Sequence, residues 1–178
     1  MTTRLNLNDS SIESSLLPVK IDSPYEHNCV RNSLIPGILK TISSNRKLAL
    51  PIKLFEVSDI VIRDSSKANK AVNQRNLCAI YCAASSGFEF IHGVLDRIMS
   101  SLEINASFVS SNSISYALIE KDFPMYFPLR SCEIVVNKTV IGHMGILHPT
   151  VSKNFEIHQA VCSALEINVE KLLKFYEE

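Results

Sequence analysis

Between Glu89 and Leu102 the residues Phe90, Ile91, Val94, Leu95, Ile98, Met99 and Leu102 recur at i, i+1, i+4 and i+5. That spacing gathers apolar side chains into one stripe along a helix. It is the strongest periodicity in the chain and it constrains the fold, because a one-sided helix must bury its stripe on another element. The flanking segments supply a sheet. Residues 51–62 and 76–84 are rich in branched and apolar residues, with a polar loop of hairpin length between them. Further strands are expected at 114–119, 132–136, 139–147 and 160–169, and a closing helix at 170–178. Asn137-Lys138 joins two of these strands as a two-residue turn, although the favoured glycine is missing. Links this short between neighbouring strands predict an antiparallel sheet with helices on one face, the α+β class.

The beginning of the chain is less regular. Residues 1–15 are polar and rich in Asn and Ser, and together with 16–18 they read as a lead-in to a single domain at 19–178. Residues 17–24 alternate Val19 and Ile21 with polar residues between two prolines, the pattern of a short edge strand. From Ser33 to Arg46 a second stripe, Leu34, Ile35, Ile38, Leu39 and Ile42, predicts a helix. Ser33 is placed to cap it, and Pro36 is tolerated in its first turn. Gly37 costs about 1 kcal/mol relative to alanine there, which marks either close approach by another backbone or a helix boundary. Residues 123–128, Phe-Pro-Met-Tyr-Phe-Pro, read as an aromatic loop.

Composition narrows the class of function. Eighteen basic and eighteen acidic residues leave no net charge, so no global field attracts a polyanion or an anionic membrane. Apolar residues at 46% with 20% charged are the composition of a folding domain. The five cysteines, Cys29, Cys78, Cys82, Cys132 and Cys162, are odd in number and dispersed. They read as reduced thiols of a cytosolic protein. There is neither a stretch of signal-peptide composition nor a window apolar enough to span a membrane, so a cytoplasmic location is expected.

Chemical motifs are scarce. Cys78 and Cys82, four apart in a strand, stand about 13 Å from one another and share no metal. His143 and His148 have opposite strand parity and lack a second cluster at zinc spacing. Gly142-His-Met-Gly145 lies in a hairpin without the lysine of a phosphate loop, and its glycines read as bulge or close-packing positions. No serine occupies a nucleophile elbow. Glu56 and Asp59 read as charges on a solvated edge or as paired structural charges, rather than as buried acids with shifted pKa values. Arg130 either clamps an anion or closes its loop onto a carboxylate such as Glu133.

Six strings in order carry a resemblance: residues 30–45, 54–62, 88–99, 127–134, 142–149 and 163–169. Together they closely resemble the core domain of phenylalanyl-tRNA synthetase β subunits, the eukaryotic cytosolic branch above all. The resemblance implies the antiparallel fold of a class II synthetase catalytic domain that has lost its chemistry. It further implies assembly with the catalytic α subunit into an (αβ)2 enzyme that charges tRNA(Phe) with phenylalanine, using ATP and magnesium. It assigns this domain no catalytic, cofactor or metal residues, and it places Leu34, Ile35, Pro36, Gly37, Ile38, Leu39 and Ile42 at a subunit interface. The aromatic loop is a second expected partner surface, since exposed apolar patches mark interfaces.

The missing chemistry has a physical counterpart in the residues. Adenylate formation needs cations and donors around the transferring phosphate. The last strand reads Ala164-Leu-Glu-Ile-Asn-Val169, without the glycine and arginine of an active class II site, and no Phe-Arg-x-Glu occurs. Two departures from the family pattern stand out. Leu129 occupies the place of a glycine, and the family's preceding domains are missing, so the chain reads as a fragment of a longer one. The rival readings are an interaction module of another assembly, or a small free-standing enzyme built on His92, His143, Arg130 and Glu133.

Overall fold

The computed structural model describes residues 5, 19, 29–45, 47–106 and 114–176. Helix α1 (Ile35–Ser44) precedes strands β1 (Ile52–Arg63) and β2 (Ala71–Ala83). Helix α2 (Phe88–Ser101) follows, then β3 (Asn105–Ala106), β4 (Ser115–Glu120), β5 (Tyr126–Val136) and β6 (Thr139–Leu147). Helix α3 (Pro149–Asn154), β7 (Val161–Asn168) and α4 (Val169–Lys174) complete the order. The strands form one seven-stranded sheet in the order β1-β2-β7-β6-β5-β4-β3. Every pair is antiparallel except β3 with β4.

Helices cover both faces of the sheet, which corrects the expectation of a single helical face. On one face α1 and α3 pack with Ile52, Ile60, Cys78, Ile80, Cys82 and Ala164. On the other, α2 and α4 pack with Ala79, Ile134, Met144, Leu165 and Ile167. The alternation of strand side chains makes this possible, because successive residues of β2 and β7 feed opposite cores. A strand apolar on both sides needs cover on both sides, and β7 is buried along nearly its whole length.

Local chemistry sets the helix ends. Pro36 lies in the first turn of α1, and the Asn45 amide Nδ2 closes its end on the Thr41 carbonyl at 2.8 Å. Asn168 caps α4 by accepting from the Lys171 N–H at 2.8 Å. The short helix α3 escaped the sequence reading. His148 Nδ1 caps it by accepting from the Thr150 N–H, with Pro149 at its first position. Asn137 and Lys138 both take left-handed φ values, 45° and 68°, as a tight hairpin turn with the right twist requires.

Three other expectations meet the structure here. The edge strand at 17–24 lies outside the described residues apart from Val19, whose carbonyl accepts from the Val30 N–H. Within the polar lead-in, Leu5 is buried in the core beneath α1. The thiols are not all reduced, since Cys82 and Cys162 form a disulfide. They stand directly opposite each other in the β2–β7 register with their Cα atoms 4.1 Å apart, which brings the two sulfurs together. Cys29, Cys78 and Cys132 remain free thiols.

Leu129, at the glycine position of the resemblance, takes left-handed backbone. Its φ is 58°, its side chain is 71% exposed, and its N–H donates to Asp122 Oδ1 at 2.7 Å. A side chain in this region costs about 1–2 kcal/mol. Leu129→Gly is therefore expected to stabilise the protein by about 1 kcal/mol after the added unfolded-chain entropy of glycine. Leu129→Ala, which keeps the Cβ, should give no such gain. Midpoints of urea unfolding distinguish the two.

Candidate functional site

One row of side chains crosses five strands on the α1 face. The register places Glu133 of β5 beside His143 of β6, His143 beside Glu166 of β7, Glu166 beside Cys78 of β2, and Cys78 beside Glu56 of β1. Opposed residues of antiparallel strands project to the same face, so the row is a set of titratable groups in line. A cavity of about 200 Å³ opens over its middle, lined by Ser33, Gln74, Asn76, His143, Glu166 and Phe123 among others.

Glu166 is the centre of the row. It is 3% exposed, yet three donors reach its carboxylate. The Ser33 hydroxyl donates to Oε2 at 2.6 Å, while the Leu34 N–H and the Asn76 amide donate to Oε1 at 3.1 and 2.8 Å. Asn76 is in turn held by Gln74 at 2.6 Å. Leu34 is the N-cap residue of α1, so the buried carboxylate lies at the positive end of that helix. Ser33, the expected cap, accepts from the Ile35 N–H at 3.2 Å and spends its own proton on Glu166.

The other members are also engaged. Glu56 forms an ion pair with Arg31 at 2.8 Å, and the same guanidinium bonds Ser58 and the Asp59 carbonyl. Asp59 accepts from Nε and Nη2 of Arg75, at 2.8 and 3.1 Å, which holds its carboxyl below the usual range. Both acids are thus paired structural charges, one of the readings open to them from the sequence. Glu133 pairs with Lys121. The Tyr126 hydroxyl lies 2.8 Å from His143 Nδ1, and Phe123 leans on the same imidazole with ring centroids 5.3 Å apart. Enclosure lowers the His143 pKa, outweighing the attraction of Glu166 and Glu133. Burial pushes the Cys78 thiol well up, aided by the Glu166 and Glu56 carboxylates, and leaves it a poor nucleophile.

The four residues of the free-standing enzyme reading do not assemble. Glu133 and His143 are cross-strand neighbours, but Arg130 is exposed, and Lys121 holds Glu133 in its place. His92 projects from α2 on the other side of the sheet and approaches Asp96 at 3.5 Å. The expected interface helix is placed differently from its reading as an apolar outer surface. Leu34, Ile35, Pro36, Ile38, Leu39 and Ile42 are all buried in the chain's own core. Among the described residues Gly37 meets no other backbone, its nearest neighbour being Glu56 Oε2 at 3.8 Å from an added Cβ. Of the aromatic loop, Met125 and Tyr126 turn inward, while Phe127 stays exposed and stacks on His148.

Fold and site together define an α+β sheet domain whose polar row is closed by partners within the chain rather than left open for chemistry. Comparison with known proteins makes the class specific. Residues 4–169 match the family described as phenylalanyl tRNA synthetase beta chain CLM domain. The chain is 44% identical over 162 residues to the phenylalanine–tRNA ligase beta subunit of Homo sapiens, and equally to that of Mus musculus, covering 90% of this chain and 27% of each relative. It is 39% identical over 173 residues to the cytoplasmic beta subunit of Arabidopsis thaliana, covering 94% of this chain and 29% of that one. The chain therefore belongs to the phenylalanyl-tRNA synthetase beta chain CLM domain family. It spans little more than a quarter of the length of these curated relatives.

Proposed function

We propose that this chain is the non-catalytic, class II synthetase-like core of a phenylalanyl-tRNA synthetase β subunit, and that it supports assembly of the (αβ)2 enzyme around the catalytic α subunits. The observation that carries this reading is the closure of the row on the α1 face. Adenylate chemistry needs unspent cations and donors aimed at phosphate. Here Arg31 is bound to Glu56, Lys121 to Glu133, and the donors at Glu166 are consumed by its carboxylate. These residues do not fit ATP and magnesium, and among the described residues no three acidic, histidine or cysteine side chains converge as metal ligands. ATP, magnesium, phenylalanine and tRNA(Phe) are handled by the whole enzyme in this proposal.

Because the apolar stripe of α1 is consumed by the core, its outer row is left to meet the α subunit. That row is Gly37, Lys40, Thr41 and Ser44, with the exposed Phe127 and Leu129 as a second contact. A cytoplasmic location fits this assembly; no helix among the described residues is long and apolar enough to cross a membrane.

Co-expression with the α subunit tests the proposal. A stoichiometric complex is expected on sizing, together with no phenylalanine-dependent pyrophosphate exchange by the chain alone. Exchange catalysed by the isolated chain would overturn the non-catalytic reading, and failure of the two chains to associate would overturn the assembly role.

A further inference from the structure

The sheet ends on β1, and among the described residues nothing pairs with the middle of that edge. The N–H of Val61 points away from β2, since it donates to the Arg31 carbonyl, and the Asp59 carbonyl likewise accepts from Arg31. Main-chain groups alternate along a strand, so the N–H and C=O of Lys53, Phe55 and Val57 point outward as well. The narrow Cys82–Cys162 pair gives the same phase from the other side. Its 4.1 Å Cα separation marks a non-hydrogen-bonded pair with β7, so Cys82 turns its main-chain groups to Ile52 and leaves the odd residues of β1 facing out. Among the described residues, the segment 29–31 covers this edge only near Asp59 and Val61. Phe55 is 77% exposed and Val57 48%, on the α2 face of the sheet, where Phe55 lines an open cavity with Phe90, Ile91, Val94 and Ile98 of α2. Long, regular, apolar edges are templates for another strand.

We propose that this edge pairs with the same edge of a second copy of the chain, antiparallel and centred on Phe55. The pattern is self-complementary under a two-fold axis. Phe55 falls opposite Phe55 of the other copy and Lys53 opposite Val57, in three hydrogen-bonded pairs that exchange about six main-chain hydrogen bonds. All these side chains project to one face, where an aromatic cross-strand pair is favourable. Like charges do not meet. The two Lys53 residues are offset by about 13 Å along the strands, and each ammonium sits over Phe90 of its own chain, 4.5 Å from the ring centroid. On the reverse face Glu56 lies opposite Leu54 and keeps its own Arg31. The chain carries no net charge, so no long-range repulsion opposes association.

Sedimentation of the 178-residue chain over a wide concentration range tests this. A dimer of twice 19.9 kDa is expected. Val57→Pro removes one outward N–H that the β2 ladder does not use, so the fold should survive it. Phe55→Lys sets two like charges on the axis. Each should raise the dimer dissociation constant about a hundredfold while leaving the circular dichroism spectrum unchanged. A chain that stays monomeric throughout overturns the proposal. So does a dimer indifferent to both substitutions, and so does a monomer whose β1 edge instead captures a strand of the α subunit.

Discussion

Glu166→Ala is expected to lower the unfolding free energy by about 3–4 kcal/mol. The carboxylate is buried and accepts from the Ser33 hydroxyl, the Leu34 N–H and the Asn76 amide. Its removal strands three donors, and two of them belong to the segment that leads α1 onto the sheet. Losing one side of a buried, charge-assisted network costs about 3–5 kcal/mol when the partners are left unsatisfied. Water entering the cavity over the row offsets part of that cost. Glu166→Gln separates shape from charge. Its carbonyl can still accept from Leu34 and Asn76, and Ser33 can turn to accept from the amide, so a loss of about 1 kcal/mol is expected. Urea unfolding of both variants reads the difference as a midpoint shift at constant slope. Equal losses for Ala and Gln would show that the bulk of the side chain matters rather than the hydrogen bonds. A loss below about 1 kcal/mol for Ala would remove Glu166 as the tie between helix and sheet.

How much of this could be read beforehand depends on the range of the interaction. The α2 stripe and the β1, β2, β6 and β7 strands are local patterns, and each element is found within a few residues of its expected position. The Asn137-Lys138 turn was equally legible, because a two-residue link between strands has few solutions. The two-sided helical cover was not legible. A stripe says that a helix has a buried face but not which side of the sheet receives it, and that is decided by the path of the connections. The Glu166 network was missed for a similar reason, since Ser33 and Glu166 are 133 residues apart. One signal was present: a lone glutamate within Val161–Ile167, where every other residue is apolar or small. A charge in so apolar a run has to find its partners inside the protein. The α1 stripe was periodic enough to predict the helix, but periodicity alone does not tell the chain's own core from a partner's surface. The disulfide depended on the β2–β7 register, which spacing along the sequence does not reveal.

Gly142→Ala is the second large effect, and it tests the close-packing reading of the Gly142-His-Met-Gly145 segment. Gly142 does not have a positive φ, so alanine suits its backbone and ought to favour a strand. Packing opposes that preference. An added Cβ would lie 2.3 Å from the Glu166 carbonyl oxygen and 2.8 Å from both Cα and Cγ2 of Ile167. Two of those atoms are main chain of the neighbouring β7 strand, which cannot swing aside as a side-chain tip would. β6 and β7 would have to separate at the point where the Glu166 side chain anchors α1, so a loss of about 3 kcal/mol is expected, the upper end for overpacking. Gly93, within α2, supplies the opposite sign in the same protein. Nothing lies within 4 Å of its added Cβ, and Gly93→Ala should stabilise the helix by about 0.5–1 kcal/mol. Urea midpoints moving in opposite directions for the two substitutions are the expected result. A neutral Gly142→Ala would mean that β6 and β7 can part without cost, and would remove the close-packing reading of Gly142.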